Sequence, residues 1–405
     1  MRATLSTAAL VAATIAFTPA IAAAKDESVP GVTRTEIKIG NIMPYSGPAS
    51  AYSVIGQMEA AYFRKVNDEG GINGRRINFI SYDDGYTPPK TVEQARKLVE
   101  RDGVLLVFNS LGTPTNTAIH RYMNQKKVPQ LFVATGATKW DDPKHFPWTM
   151  GWQPNYQTEA RIYAQYILKE KPNAKIAVLY QNDDYGKDYL KGLTDGLGDK
   201  ANMIVATNSY NVTEPTIASH VIDLKASGAD VFFVIATPKF AAQAIKEVRA
   251  LEWQPMFILN NVSASVGAVL QPAGLEASQG IISAAYMKDL TDPKWNDSPD
   301  VREWRAFMDK YAPDADKADA ANAVGYAVAR TLVEVLKQCG DDLSRENIMK
   351  QAASLKNFDP GLLLPGIKIN TSSNDFAPIE QLQLMRFEGK SWHLFGPVRG
   401  EERAS

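Results

Sequence analysis

The chain has 405 residues, 45% of them hydrophobic, and its 44 basic side chains nearly balance 45 acidic ones. That balance gives no electrostatic case for nucleic acid or an anionic membrane surface, so a small-molecule partner is the expectation. A single cysteine, Cys339, excludes any intrachain disulfide and leaves stability to the size of the core.

The chain opens like a secretory leader. Met1 and Arg2 supply a short positive start, 5–17 is apolar, and Ala20-Ile21-Ala22-Ala23-Ala24 offers A-x-A cleavage sites ahead of Lys25-Asp26-Glu27. The apolar run is shorter than the ~20 residues of a membrane span. Residues 1–24 are therefore read as a signal peptide for export across a bacterial inner membrane to the periplasm, and no cysteine stands just after the apolar run to carry a lipid. What remains exceeds the usual ~100–200 residues of one domain, which predicts two lobes.

From there short apolar runs alternate with helical patterns. Strands are predicted over 37–43, 77–82, 104–108, 130–134, 176–180, 203–209, 231–236, 256–260 and 280–287. Helices are predicted over 51–67, 91–102, 115–125, 157–170, 185–197, 217–226 and 239–251. This β-then-α order argues for an α/β protein with parallel sheets covered by helices on both faces, all strand carboxyl ends on one edge. A Trp-, Pro- and Asp-rich stretch, 138–157, and a Pro- and Asp-rich one, 289–299, read as crossings between lobes. A long helix is expected over 318–337, then two strands, 381–387 and 392–395, around the hairpin signal Glu388-Gly389-Lys390. The expected lobes are 25–152 plus 288–376 and 153–287 plus 377–405.

The loops at the strand ends carry the chemistry. Gly112 to Thr115 follows a strand and opens a helix, so its free N–H groups and the Thr113 and Thr115 hydroxyls suit an anion; ordinary capping by Thr115 is the alternative. Ala134, Thr135, Gly136 and Ala137 follow the next strand, and their small side chains let backbone amides come close to a ligand. Together these loops make a candidate carboxylate cradle.

The ordered set Pro44-x-Ser46-Gly47-Pro48, Gly70-Gly71-Ile72-x-Gly74, Asp83-Asp84, Gly112-Thr113-Pro114-Thr115, Ala134 to Thr138 and Asp183-Asp184-Tyr185-Gly186 spans nearly the whole chain after the leader. It is similar to the leucine/isoleucine/valine-binding type of periplasmic solute-binding protein. The resemblance implies two Rossmann-like lobes, a three-stranded hinge (the type I arrangement), a solute closed between the lobes, and delivery to an inner-membrane ABC permease by a monomer. It also implies an aromatic wall at Tyr52, with Tyr45 in the same loop, and an approach by Tyr185 from the second lobe.

One departure is informative. Amino-acid binders of this type place a carboxylate after the strand equivalent to 256–260 to meet the ligand ammonium, whereas here Asn261 and Ser263 follow it. An ammonium buried without a counter-charge costs several kcal/mol, so the expected ligand is a carboxylate lacking an amino group. Thr237, after the strand at 231–236, likewise offers only a hydroxyl and amides. The segments Lys139-Trp140 and Asp184-Tyr185-Gly186 look like the branch that takes up aromatic acids such as p-coumarate, ferulate or a benzoate. Branched-chain aliphatic amino acids, amides and urea-like solutes are the competing ligands, and a secreted α/β enzyme acting on a small acid is the competing class.

Against an enzyme, His120, His145, His220 and His393 show no metal-ligand spacing, and no nucleophile elbow, phosphate loop or dinucleotide fingerprint is present, so neither metal nor cofactor is expected. The pairs Asp83-Asp84, Asp141-Asp142 and Asp183-Asp184 are read as loop-end caps rather than paired catalytic acids, because adjacent strand residues face opposite sides.

Overall fold

The structure, a computed structural model, describes residues 29–400. The leader predicted over 1–24 lies outside the described residues.

The first sheet has five parallel strands in the order β2-β1-β3-β4-β5. They are β1 (Glu36–Met43), β2 (Arg76–Asp83), β3 (Leu106–Phe108), β4 (Gln130–Val133) and β5 (Thr149–Gly151). Ile37, Ile39, Ile42 and all of β3 are buried, as expected of strands covered on both faces. Helices α1 (Ser53–Asp68), α2 (Pro88–Arg96) and α3 (Thr113–Gln125) connect them.

After β5 the chain crosses to a seven-stranded sheet, order β12-β11-β10-β9-β8-β6-β7. Helix α4 (Tyr156–Glu170) leads into β6 (Ile176–Gln181), α5 (Asp184–Leu197), β7 (Ile204–Tyr210), α6 (Ala218–Ala226), β8 (Val231–Ile235), α7 (Pro238–Ala250), β9 (Met256–Leu259), the short α8 (Gln271–Ala273) and β10 (Ile282–Ala285). The chain then returns to lay α9 (Pro299–Tyr311), α10 (Ala321–Gln338) and α11 (Arg345–Ala352) beside the first sheet. Tyr62 of α1 meets the Tyr326 ring edge-on at 5.2 Å and Phe307 at 5.8 Å there. A third crossing brings β11 (Gln381–Glu388) and β12 (Ser391–Gly400) back to the second sheet, where they pair antiparallel with β10 and with each other.

The fold is thus two α/β lobes linked by three chain crossings. The predicted crossing over 138–157 is shorter than expected: it contains β5, three residues without a readable alternation, and the passage itself is 152–155. Helices α9 and α11 were not predicted, although Ser298-Pro299 is a helix start with Pro at the first position.

Several elements start where polar side chains replace the missing helical acceptors. Asn155 caps α4 by accepting from Gln157 N (2.8 Å) and Thr158 N (3.3 Å), and Asp183 caps α5 by accepting from Tyr185 N (2.9 Å). Asp84 accepts from Tyr86 N (2.8 Å) and the Thr91 hydroxyl (2.7 Å). Asp83 takes Ser46 N (3.1 Å) and Gly85 N (2.9 Å). Asp83, Asp84 and Asp183 therefore organise loops, as read from sequence, whereas Asp184 reaches out to Lys139 at 2.7 Å instead.

Candidate functional site

Each sheet has a point where successive crossovers leave in opposite directions, and the gap outside the strand ends there is where a ligand fits. In the first sheet it lies between β1 and β3, in the second between β6 and β8. The loops beyond these strands face each other across the cleft. The lobes are closed upon it: Tyr52 Oη donates to Val262 O at 2.9 Å, Thr138 N donates to Asp188 Oδ2 at 2.8 Å, Lys139 pairs with Asp184 at 2.7 Å, and Gly267 N donates to Ala318 O at 3.0 Å.

Two adjoining compartments remain between the lobes. The smaller, about 50 Å³, is lined by Tyr52, Tyr86, Gly112, Thr113, Tyr156, Tyr185 and Thr237 among others, and no Asp, Glu, Lys or Arg reaches it. The larger, about 130 Å³, lies toward the crossings and shares Tyr52, Ile55, Gln153 and Val262 with the first.

The directions of the hydrogen bonds decide the polarity of the small compartment. Thr135 Oγ1 faces two N–H donors, Trp140 Nε1 and Ala137 N, both at 3.3 Å. A hydroxyl oxygen has two lone pairs. With both facing N–H donors, Thr135 has its own proton to give to Thr113 Oγ1 at 2.6 Å or to the Tyr156 phenol; given to Thr113, it leaves the Thr113 proton free for the compartment. Tyr185 follows the same logic: its oxygen accepts from Asn260 Nδ2 at 2.7 Å, an amide oriented by Ala236 N donating to Asn260 Oδ1 at 3.2 Å. Gln181 Nε2 stands 3.4 Å from Tyr86 Oη in a similar sense. Burial pushes the phenols of Tyr52, Tyr86, Tyr156 and Tyr185 above their ordinary range, so they stay protonated donors. Thr113 also opens α3, where its backbone N–H has no intrahelical acceptor. The Tyr52 proton is spent on Val262 O, so the compartment presents hydroxyl donors from Thr113, Tyr86 and Tyr185 beside the neutral Thr237 and Gln153 side chains, and no negative charge.

The backbone is bent to achieve this. Gly112 has φ +100°, and a Cβ there would lie 2.5 Å from the Tyr86 ring and 2.6 Å from Thr115 Oγ1. Tyr86 itself sits at φ 59°, a cost of about 1–3 kcal/mol that the Asp84 bond to its amide offsets.

Of the residues predicted from sequence, Tyr52, Gly112, Thr113, Ala134, Tyr185 and Thr237 line the small compartment, and Tyr52 and Asn261 line the large one. The others are placed elsewhere. Thr115 points its hydroxyl back to the carbonyls of Leu111 and Gly112 (3.0 Å to the latter), so it neither caps α3 nor faces a ligand. Thr135 is buried one step behind, acting through Thr113. Gly136 is a close approach: a Cβ would meet Pro154 O at 2.2 Å and the Tyr156 ring at 2.7 Å. Ala137 is core. Tyr45 faces an outer groove and bonds Ser81 Oγ at 2.6 Å, on the far side of α1. Asn261 turns its amide to Ala284 O, and Ser263 turns its hydroxyl to Ala236 O.

Sequence reasoning missed Tyr86, Gln153 and Tyr156, and it missed one acid. Glu159, 2% exposed, lies beneath the loop after β9. It accepts from Asn261 N (2.7 Å), Tyr163 Oη (2.7 Å) and Tyr189 Oη (2.8 Å), and burial raises its pKa to about 7. Its carboxylate is consumed by these donors and lines neither compartment. Among the described residues, no group of three or more His, Cys, Asp or Glu side chains is placed to hold a metal. Cys339 is buried, its thiol pushed up to about 12.

A pair of α/β lobes closed by cross-cleft bonds over two adjoining compartments defines a ligand-trapping protein. The family model described as "Periplasmic binding protein" matches residues 36–391, and the chain belongs to that family. It is similar to the Leu/Ile/Val-binding protein homolog 7 of Brucella abortus (strain 2308), at 24% identity over 84% of this chain and 86% of the relative. Its fold is similar to that of a branched chain amino acid ABC transporter from Thermus thermophilus with bound valine, with TM-score 0.82 and 16% identity over 92% of this chain and 98% of the other. It is also similar to a fatty acid ABC transporter substrate-binding protein from Thermomonospora curvata, with TM-score 0.79 and 22% identity over 92% and 94% of the two chains.

Proposed function

We propose that this protein is the periplasmic solute-capturing component of an ABC uptake system, that it binds one small carboxylate bearing an apolar, preferably aromatic, body and no ammonium, and that it performs no chemistry on it. The observation that carries the reading is the small compartment, where the Thr113 hydroxyl and the tyrosine phenols present donors and no side-chain carboxylate is within the lining. A carboxylate accepts up to four hydrogen bonds and donates none when ionised, so it matches such a lining; an α-ammonium finds only neutral acceptors there, the Thr237 hydroxyl and the Gln153 amide, and no counter-charge.

The lobes of this reading are 25–152 plus 288–376 and 153–287 plus 377–405, with 1–24 removed on export, and a monomer passes its ligand to an inner-membrane permease. The donors come from both lobes, Thr113 and Tyr86 from the first and Tyr185 from the second, so the ligand gains contacts on closure and can shift an open–closed equilibrium. Affinity near micromolar, about −8 kcal/mol, is the expected range.

Calorimetry with p-coumarate and with leucine tests the reading, leucine standing for the ligands in the relatives' names. Binding of the aromatic acid alone, recovered unchanged by mass analysis, is the expected outcome. Tight binding of leucine would overturn it.

A further inference from the structure

The larger compartment has no role in holding a carboxylate, and its walls specify what the rest of the ligand looks like. Ala51, Ala264, Ala321 and Val324 line it with small apolar groups, and Tyr286 and Trp392 contribute aromatic surface. Three charged residues also touch it, but each is already engaged. Lys288 is paired with Asp300 at 2.5 Å, Asp289 accepts from Trp392 N at 2.7 Å, and Asp319 accepts from Ala321 N and Ser265 Oγ, both at 3.0 Å. Only Lys288 is charge-paired, while the donors on Asp289 and Asp319 are neutral, so a second negative charge on the ligand has no free cation there and faces two acids. Tyr286 differs: it is 5% exposed, and its hydroxyl has no hydrogen-bond partner among the described residues. An uncharged polar substituent would satisfy it.

At about 130 Å³ the chamber approaches the roughly 150 Å³ cavity that accepts a benzene ring. The carboxylate compartment, about 50 Å³, is too small for both head group and ring. Between the two stand Tyr52 and Val262, joined across the cleft.

We infer that the hinge-side chamber seats a single aromatic ring held away from the carboxylate by a short spacer that passes the Tyr52–Val262 constriction, so that the protein selects 3-arylpropanoate and 3-arylpropenoate acids over benzoates. The inference rests on the carboxylate reading above and adds the ring position and the spacer.

The test is a spacer series measured by calorimetry: benzoate, phenylacetate, 3-phenylpropanoate, cinnamate and 4-phenylbutanoate, each beside its primary amide. The expected result is an affinity at least tenfold higher for 3-phenylpropanoate and cinnamate than for benzoate. Val324→Phe, and separately Ala321→Phe, fill the chamber and should collapse that ratio toward one; two sites guard against one variant failing to fold. Amides that bind with the same spacer dependence while the acids do not would overturn the carboxylate reading and support the chamber. Benzoate binding as tightly as the two-carbon acids, a ratio unaffected by both variants, or no binding across both series would overturn the inference.

Discussion

Tyr52 separates two physical contributions that a single truncation would merge. Its hydroxyl donates to Val262 O at 2.9 Å, a bond between lobes that exists only when they are closed. Its ring is a shared wall of both compartments. Tyr52→Phe removes the bond and keeps the wall; a neutral hydrogen bond contributes about 1 kcal/mol net, so affinity should fall roughly fivefold. Tyr52→Ala removes both. The ring then adds about 1–3 kcal/mol of lost contact, taking area burial as the main cause, for a total loss of order tenfold to a thousandfold. Because the ring is only half-buried, the ligand-free melting temperature should move little in either variant. Calorimetry gives the affinities and ligand-free thermal melts give the control. Equal affinities for the two variants would show that the ring touches nothing of consequence, and unchanged affinity in both would reduce Tyr52 to a residue at the cleft rim.

Thr113→Val keeps shape and removes the proton freed by Thr135; hydrogen bonds to charged groups contribute about 1.5–3 kcal/mol, so carboxylate affinity should fall tenfold to a hundredfold, and no change in titration would remove Thr113 from the cradle. Glu159→Gln addresses pH: the folded pKa is raised from 4.5 to about 7, so between those values the folded chain holds a proton that the unfolded chain has lost. Stability conferred by that proton is greatest below pH 4.5, declines as pH rises through 7 and is lost above it, amounting to about 3 kcal/mol. The difference in denaturant stability between wild type and variant should therefore slope over this window, and parallel curves from pH 4 to 8 would refute the assignment. Small-angle scattering should show a smaller radius of gyration with saturating ligand, since the closing bonds at Tyr52, Thr138 and Gly267 join the lobes; an unchanged curve would count against hinge closure.

The lobes were legible because parallel strands covered on both faces write themselves as apolar runs. Val231 to Ile235 is buried at every position, and only its length separates it from a helical segment. β5 escaped because Thr149–Gly151 is three residues inside a stretch of Trp, Pro and Asp, held by pairing to β4 rather than by its own pattern. Helix α9 carries its start signal, Ser298-Pro299, inside the segment read as a crossing; the local cue was outweighed by its Pro- and Asp-rich surroundings.

For the site, sequence identified loops better than atoms. Gly112 and Thr113 could be placed because a strand end followed by a helix start is a local feature, whereas Thr115, two residues on, points the other way for a reason local to the turn: its hydroxyl finds the carbonyls of Leu111 and Gly112. Tyr86 and Tyr156 were missed because their roles depend on contacts across distant segments, Tyr86 against Gly112 and Tyr156 against Gly136. Glu159 shows the reverse problem. The argument against an ammonium needed the absence of an acid, and an acid does lie beneath Asn261, on a helix a hundred residues earlier in the chain. What preserves the argument is how that acid is used: Asn261 N, Tyr163 and Tyr189 take three of its acceptor positions, it lines neither compartment, and burial favours its neutral form. A residue count cannot distinguish a free carboxylate from a consumed one. The direction of each proton can, and it is this that leaves the Tyr185 phenol, whose oxygen accepts from Asn260, with its proton for the compartment.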